Sequence, residues 1–181
     1  MNYNIKMSHG SDASIIEFIK THHYLKKSSR GNTCVFSLYD KETLVGVAMF
    51  GEPVGTYIKS KYGEKTLELK RFCLNNTPKN TASWFMARCI KLLRQQGWEK
   101  IITYADPAQG HEGVMYKACN FKYLGEQKIK TPYVIYKGSR IYGRQVYSGN
   151  PKYATLKKLV TSGKVKLKYA IPKKIFMYEV G

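Results

Sequence analysis

Between Tyr104 and Gly125 the chain reads YADPAQGHEGVMYKACNFKYLG, which sets an aspartate, a histidine and three tyrosines among glycines. Asp106, His111, Tyr104 and Tyr116 are residue types that move protons or orient a reacting amine: a carboxylate and an imidazole near neutral pH, a phenol as the weaker acid. The same string also reads as a structural turn, with Asp106 capping a following helix, His111 in an exposed loop and Tyr116 packed on a sheet. A second polar stretch, Asn76 to Ser83, offers different chemistry. Lys79 supplies a cation, and Thr81 and Ser83 supply hydroxyls, ahead of a helix whose first-turn amides lack internal acceptors and lie at the positive end of its dipole. A pyrophosphate suits that loop, and so does an ordinary Ser/Thr-capped helix.

Both stretches need elements to hold them. Residues 12–26, DASIIEFIKTHHYLK, place Ile15, Ile16, Phe18, Ile19 and Tyr24 near one face and predict an amphipathic helix after a Ser11 or Asp12 cap. TCVFSLYD (33–40) and TLVGVAMFG (43–51), separated by Lys41 and Glu42, predict an antiparallel hairpin. LELKRFCLN (67–75) predicts a third strand feeding the polar loop. SWFMARCIKLLRQQ (83–96) carries Phe85, Cys89, Leu92 and Leu93 at helical spacing, with Gly97 behind it as a C-terminal stop. A short buried strand (99–106), a two-turn helix (113–120) and two further strands (121–127 and 132–137) follow. Strand, loop, helix and strand in the centre form an α/β crossover. The expected class is α/β (α+β), with a central mixed sheet flanked by helices in residues 1–140. A basic C-terminal extension follows over 141–181, entered through GSRIYGRQVYSGNPKY and packed on the same domain.

Charge names a partner class. The 181 residues carry 31 Lys+Arg against 12 Asp+Glu, a formal net charge of +19. Residues 128–181 alone hold 13 basic residues and one acid, Glu179. A polyanion or an acidic surface is the implied partner, and nucleic acid is the expectation, because the tail interleaves lysines with tyrosines; a solubilising charge excess is the alternative. Arg140, Arg144, Lys152, Lys157, Lys158, Lys166 and Lys168 are the residues assigned to phosphate contact. No apolar run approaches the roughly 18 residues of a membrane span, and the first residues lack the apolar core of a signal peptide, so no membrane partner and a cytoplasmic location are expected. Cys34, Cys73, Cys89 and Cys119 show no CxxC pairing and read as free thiols. His22 and His23 are adjacent, an arrangement that more often gives one core and one surface histidine than a metal site.

The order of elements resembles the GNAT acyltransferase superfamily, and GVMYKACNFKYLGE is similar to its helix-turn-strand ending, with Tyr116 ahead of Asn120-Phe121. That resemblance implies an acyl-CoA donor such as acetyl-CoA, held by the Asn76–Ser83 loop. It also implies Tyr116 near the coenzyme sulfur, placed to protonate a departing thiolate. Arg71, Lys79, Asn80, Thr81 and Ser83 are then the donor-binding candidates, Arg71 having a structural ion pair as its alternative. The loop departs from the superfamily by carrying Asn80 and Ala82 where glycines are usual. Asn tolerates left-handed φ, which lets the turn survive.

RFCLNNTPKNTASWFMARCIKLL, ITYADPAQGHEGVMYKACNFKYLG and IPKKIFMYEV together resemble the Mom family of phage DNA-modification proteins, over roughly residues 20–180. Membership implies double-stranded DNA as the partner and conversion of its adenine N6 to a carbamoylmethyl group, which shields the DNA from host restriction. For that reaction Asp106, at a strand end where ligands of α/β sheets collect, is the candidate base, His111 shares its duty, and Tyr104 packs or stacks on the adenine. The donor, a metal ion and the oligomeric state stay open. The alternatives are an acyl-CoA-dependent N-acetyltransferase acting on a protein, RNA or small amine, and a non-enzymatic DNA-binding protein on the same scaffold.

Overall fold

A computed structural model describes residues 3–128 and 131–180, and divides the chain into two compact units. The first comprises Met1–Ala105, Gly113–Gly125 and Ile175–Gly181; the second comprises Asp106–Glu112 and Glu126–Lys174.

In the first unit β1 (Tyr3–Ser8) is followed by α1 (Ala13–His22) and by the hairpin of β2 (Asn32–Asp40) and β3 (Thr43–Gly51). Next come α2 (Thr56–Tyr62), β4 (Thr66–Leu74), α3 (Thr81–Gln95), β5 (Lys100–Ala105), α4 (Val114–Ala118) and β6 (Lys122–Glu126). The hairpin pairs antiparallel with Asp40 opposite Thr43, as its two-residue connection dictates, and β1 adds antiparallel to β2 at the edge. β3 pairs antiparallel with β4, and β4 pairs parallel with β5 across α3, the expected crossover. The seven strands run in the order β1-β2-β3-β4-β5-β10-β6, where β10 (Lys174–Glu179) comes from the end of the chain.

Helices cover both faces, which is why the central strands are apolar in both directions rather than alternating. On one face α1 inserts Ile15, Phe18 and Ile19 against Val35, Val47, Met49 and Cys73. On the other, α3 buries Phe85, Met86, Cys89, Ile90 and Leu93 against Phe36, Phe50, Leu67, Leu69, Ile101 and Phe176. Leu92 is only partly buried beside that cluster. The helix stops in a Schellman motif: Gly97, at φ +80°, donates its amide to the Arg94 carbonyl, and the Trp98 amide reaches the Leu93 carbonyl.

The second unit has its own small core. β7 (Pro132–Tyr136) is flanked by β8 (Ser139–Tyr142) and β9 (Lys168–Tyr169), with α5 (Gly143–Val146) and α6 (Ala154–Thr161) between them in sequence. Val134, Val146 and Leu156 are fully buried, with Ile141, Val160 and Leu167 packed around them.

The division differs from the expected boundary at 140. A cut there would pass through the Val134–Val146–Leu156 core, while Phe176 and Val180, from the expected extension, belong to the core of the first unit. α2, β1, β10 and the second-unit elements from β8 onward are additions to the expected order. All four cysteines are free. Among the described residues no helix is long and apolar enough to cross a membrane.

Candidate active site

The central parallel pair is paired only at its beginning. Thr66, Leu67 and Glu68 face Lys100, Ile101 and Ile102, after which no further pairs form although both strands continue, β4 to Leu74 and β5 to Ala105. β4 is also irregular beyond that point, because the register with β3 shifts between Met49–Arg71 and Phe50–Leu69. The shift reverses the facing of the strand: Leu67 and Leu69 point to the α3 side before it, Phe72 and Leu74 after it, and Cys73 points to the α1 side. Unpaired strand ends expose backbone polar groups between two separately lined faces.

The α3 face carries the polar loop. Asn80, the residue before α3, is left-handed at φ +70°, the conformation an asparagine tolerates where a glycine would otherwise stand. Its side chain makes no capping hydrogen bond, and the Ser83 hydroxyl donates to its carbonyl rather than to a ligand. Lys79 and Asn80 are exposed, whereas Thr81 is fully buried and serves the core. A groove of about 530 Å³ runs beside α3, lined in part by Ser83, Ala87, Lys91, Arg94, Cys119 and Asn120.

Tyr116 lies on this face. The helix holding it is one turn long and closes in a second Schellman motif, with Asn120 left-handed at φ +61°, its amide on the Lys117 carbonyl and the Phe121 amide on the Tyr116 carbonyl. The apolar contact that accompanies such a cap is the Tyr116–Phe121 ring pair, 5.6 Å between centroids, and Phe176 holds the other side of Tyr116 at 5.5 Å. The spacing Tyr116…Asn120-Phe121 is thus a helix stop that orients the phenol. Burial pushes that phenol above its ordinary pKa, opposed by a side-chain hydrogen bond with Thr103 on β5, so the hydroxyl stays protonated and available as a donor. Gly113 opens the helix at φ +78°, and a Cβ there would fall on the Phe176 ring inside contact distance. Gly113→Ala is therefore expected to cost about 2–4 kcal/mol, combining left-handed strain with overpacking, measurable as a lowered denaturation midpoint.

Tyr104 is on the opposite face. Thr103 and Ala105 point toward α3, so Tyr104, one residue from each, points away with Ile102. Burial pushes its phenol upward, and the nearby Glu68, Tyr57 and Tyr62 push it further in the same direction. Glu68 is held by the Val54 amide at 2.9 Å. Arg71 also lies on this face, apart from Lys79 and Ser83, with which it was grouped. Its guanidinium donates to the Lys27 carbonyl at 2.8 Å and the Lys70 carbonyl at 2.5 Å. Its pKa is lowered by burial against the opposing influence of Tyr24 and Glu68. After α1, His23 is buried and His22 exposed, the expected split; His23 Nδ1 accepts the Leu25 amide and its ring stacks on Tyr24.

Asp106 and His111 belong to the second unit. Asp106 caps a 3-10 turn, its side chain accepting the Ala108 amide at 3.2 Å and its carbonyl accepting the His111 amide at 3.1 Å, and Lys173 stands 3.7 Å from its carboxylate. The capping reading of Asp106 therefore holds, whatever further task it has. Glu112 is paired with Lys174, and His111 is exposed. Arg140, Arg144, Lys152, Lys157, Lys158, Lys166 and Lys168 are all exposed, and Arg140 lies over the Tyr133 ring at 4.4 Å. Among the described residues no three His, Cys, Asp or Glu side chains converge to hold a metal ion.

The model of the Mom protein family matches residues 4–178. The chain belongs to the Mom family. A comparison with curated proteins finds no match. Among solved structures this Mom-family chain is similar to a Bacillus subtilis acetyltransferase in complex with CoA, at 9% identity, TM-score 0.55 and coverage of 98% of this chain and 99% of the other. It is similar to a variant of the spermidine N-acetyltransferase SpeG from Vibrio cholerae at 11% identity, TM-score 0.58, and coverage of 98% and 94%. The ribosomal-protein-S18-alanine N-acetyltransferase of Escherichia coli aligns at 8% identity, TM-score 0.54, and coverage of 99% and 94%. The fold is thus that of the GNAT acetyltransferases, a central sheet flanked by helices. Sequence reading of this Mom-family chain missed Glu68, Tyr57 and Tyr62. Glu68 stands between the apolar Leu67 and Leu69 in LELKRF, and an acid inside a strand of the sheet was the available signal.

Proposed function

We propose that this Mom-family protein is a DNA-modifying transferase that acts on the exocyclic N6 of adenine and installs a carbamoylmethyl group, protecting the DNA from restriction in a bacterial cytoplasm. The family match over residues 4–178 carries this reading. The GNAT fold supports a transferase, and the charge of residues 128–181 supports a nucleic-acid substrate.

The residues divide the work by face. Lys79 and the first-turn amides of α3 are suited to hold the phosphates of an acyl-CoA-type donor, with Lys91 and Arg94 adding cations along the groove. Carbamoylmethylation bonds N6 to a methylene carbon, so the donor must present that carbon with the leaving group attached to it; attack at the thioester carbonyl of an acyl-CoA would leave an N6-acyl group, the product type of an N-acetyltransferase. Tyr116, kept protonated by burial, donates its proton to the leaving atom. In the second unit Asp106 and His111 are residue types able to accept a proton, and the exposed Arg and Lys residues are the proposed holders of the DNA backbone, which gives affinity without reading sequence. An acyl-CoA N-acetyltransferase acting on another amine is the second reading, favoured by the similarity to an acetyltransferase solved with CoA.

Co-expression with a plasmid, digestion to nucleosides and mass spectrometry test the choice. The expected result is a deoxyadenosine derivative heavier by a carbamoylmethyl group, with the plasmid resisting restriction enzymes whose sites contain adenine. Unmodified adenine, together with acetyl transfer from acetyl-CoA to a polyamine or peptide amine in the absence of DNA, overturns the first reading in favour of the second.

A further inference from the structure

The end of the paired stretch of the central parallel strands leaves two polar side chains on the same face, opposite α3. Glu68 pairs with Ile102, so both point to the same side, and Tyr104 follows Ile102 by two residues on that side. Glu68 is near enough for its charge to act on the Tyr104 phenol. Both are half-buried, and they stand where β4 and β5 cease to pair. The Val54 amide is one of the partners that fix the Glu68 carboxylate, and a carboxylate accepts several hydrogen bonds at once. Around them are aromatic surfaces: Tyr57 is 60% exposed in α2, and Tyr62 closes that helix. A carboxylate that can only accept, beside a phenol that can donate, is the complement of an exocyclic amine next to an unprotonated ring nitrogen.

We infer that Glu68 and Tyr104 read the Watson–Crick edge of an unstacked adenine, Glu68 accepting from N6–H and Tyr104 donating to N1, with the exposed ring of Tyr57 available to stack on the base. This deepens the adenine-modification reading and rests on it. The upward push on the Tyr104 phenol keeps it a donor across the physiological range. Guanine and thymine present a carbonyl where adenine presents its amine, so the pair opposes them. Cytosine shares the amine and ring-nitrogen pattern, and stacking on the Tyr57 ring favours the larger purine. Held this way, N6 is directed at the unpaired ends of β4 and β5, with the face that carries Tyr116 on the other side of the sheet. A target base inside a duplex must leave the stack to reach such a pair.

The test uses the full-length protein and short thymine strands with one central adenine, purine (no N6) or 1-deazaadenine (no N1), compared at a salt concentration high enough to suppress backbone binding. Wild type is expected to bind the adenine strand roughly tenfold more tightly than either analogue. Tyr104→Phe should erase only the 1-deazaadenine difference, and Glu68→Leu only the purine difference. Glu68→Gln, which keeps an acceptor oxygen, should retain part of it and guards against misfolding, with thermal melts run on every variant. Wild type that does not discriminate, or variants that discriminate as wild type does, overturns the pair; if adenine is nevertheless modified in the plasmid assay, the proposed function stands without it. Discrimination that follows the variants as expected, with no modified adenine under any donor, supports the pair and overturns the adenine-modification function.

Discussion

Tyr116→Phe is expected to slow transfer by on the order of 100- to 1000-fold, the range of a lost general acid, while donor binding and the ring contacts with Phe121 and Phe176 persist. Only the hydroxyl is removed, so the fold loses about 1 kcal/mol with the Thr103 hydrogen bond. Because burial raises the folded-state pKa of this phenol, its proton is bound more tightly in the folded than in the unfolded chain. Its contribution to stability is therefore complete below about pH 10, the ordinary phenol value, and is lost as pH climbs through the raised value. Melts of wild type and Tyr116→Phe should accordingly differ by a constant amount through neutral pH and shift against wild type in the alkaline range. Single-turnover rates with donor prebound measure the chemical step. A rate equal to wild type would leave Tyr116 as a packing residue of the α4 cap.

Removing Lys157, Lys158, Lys166 and Lys168 together, each to Ala, is expected to weaken DNA binding strongly. The plot of log affinity against log salt should become shallower by up to about 3.6, since each phosphate contact contributes roughly 0.9. All four side chains are exposed, and none has an ion-pair partner among the described residues. The core of Val134, Val146 and Leu156 is untouched, so circular dichroism and thermal melting should match wild type. Sequence preference should not change, because phosphate contacts carry no base information. Filter binding or fluorescence anisotropy across a salt series reads both quantities. Unaltered affinity and slope would take these lysines out of the DNA interface.

The frame was legible where periodicity is strong. Phe85, Cys89 and Leu93 mark the buried stripe of α3, Gly97 its stop, and the Lys41-Glu42 connection its own hairpin, because each signal is local and each physical rule acts within a few residues. β1 was missed although Tyr3, Ile5 and Met7 alternate with polar residues. Six residues at a sheet edge carry too little pattern to stand out until β2 pairs with them. The same holds for α2, seven residues long with no side-chain cap. The second unit was hidden by its own charge: Lys and Arg dominate residues 128–174, and the few apolar residues that make its core are far apart in sequence.

The amino-acid sequence by itself determined the α/β crossover, the two left-handed asparagines that let helices start and stop, the polyanion-seeking charge and the chemistry-bearing residue types. Those depend on backbone sterics, spacing and summed charge, which are properties of the chain. Tertiary structure alone decided which residues share a face. Tyr104 and Tyr116, twelve residues apart, fall on opposite sides of the sheet because strand side chains alternate and α4 folds back on Thr103. Arg71 parts from Lys79 because the register shift in β4 reverses the facing of the strand. Glu68 shares a face with Tyr104 only because β4 and β5 pair in the register that sets Glu68 against Ile102. Register is fixed by the packing of both faces at once, and no short stretch of sequence contains that information.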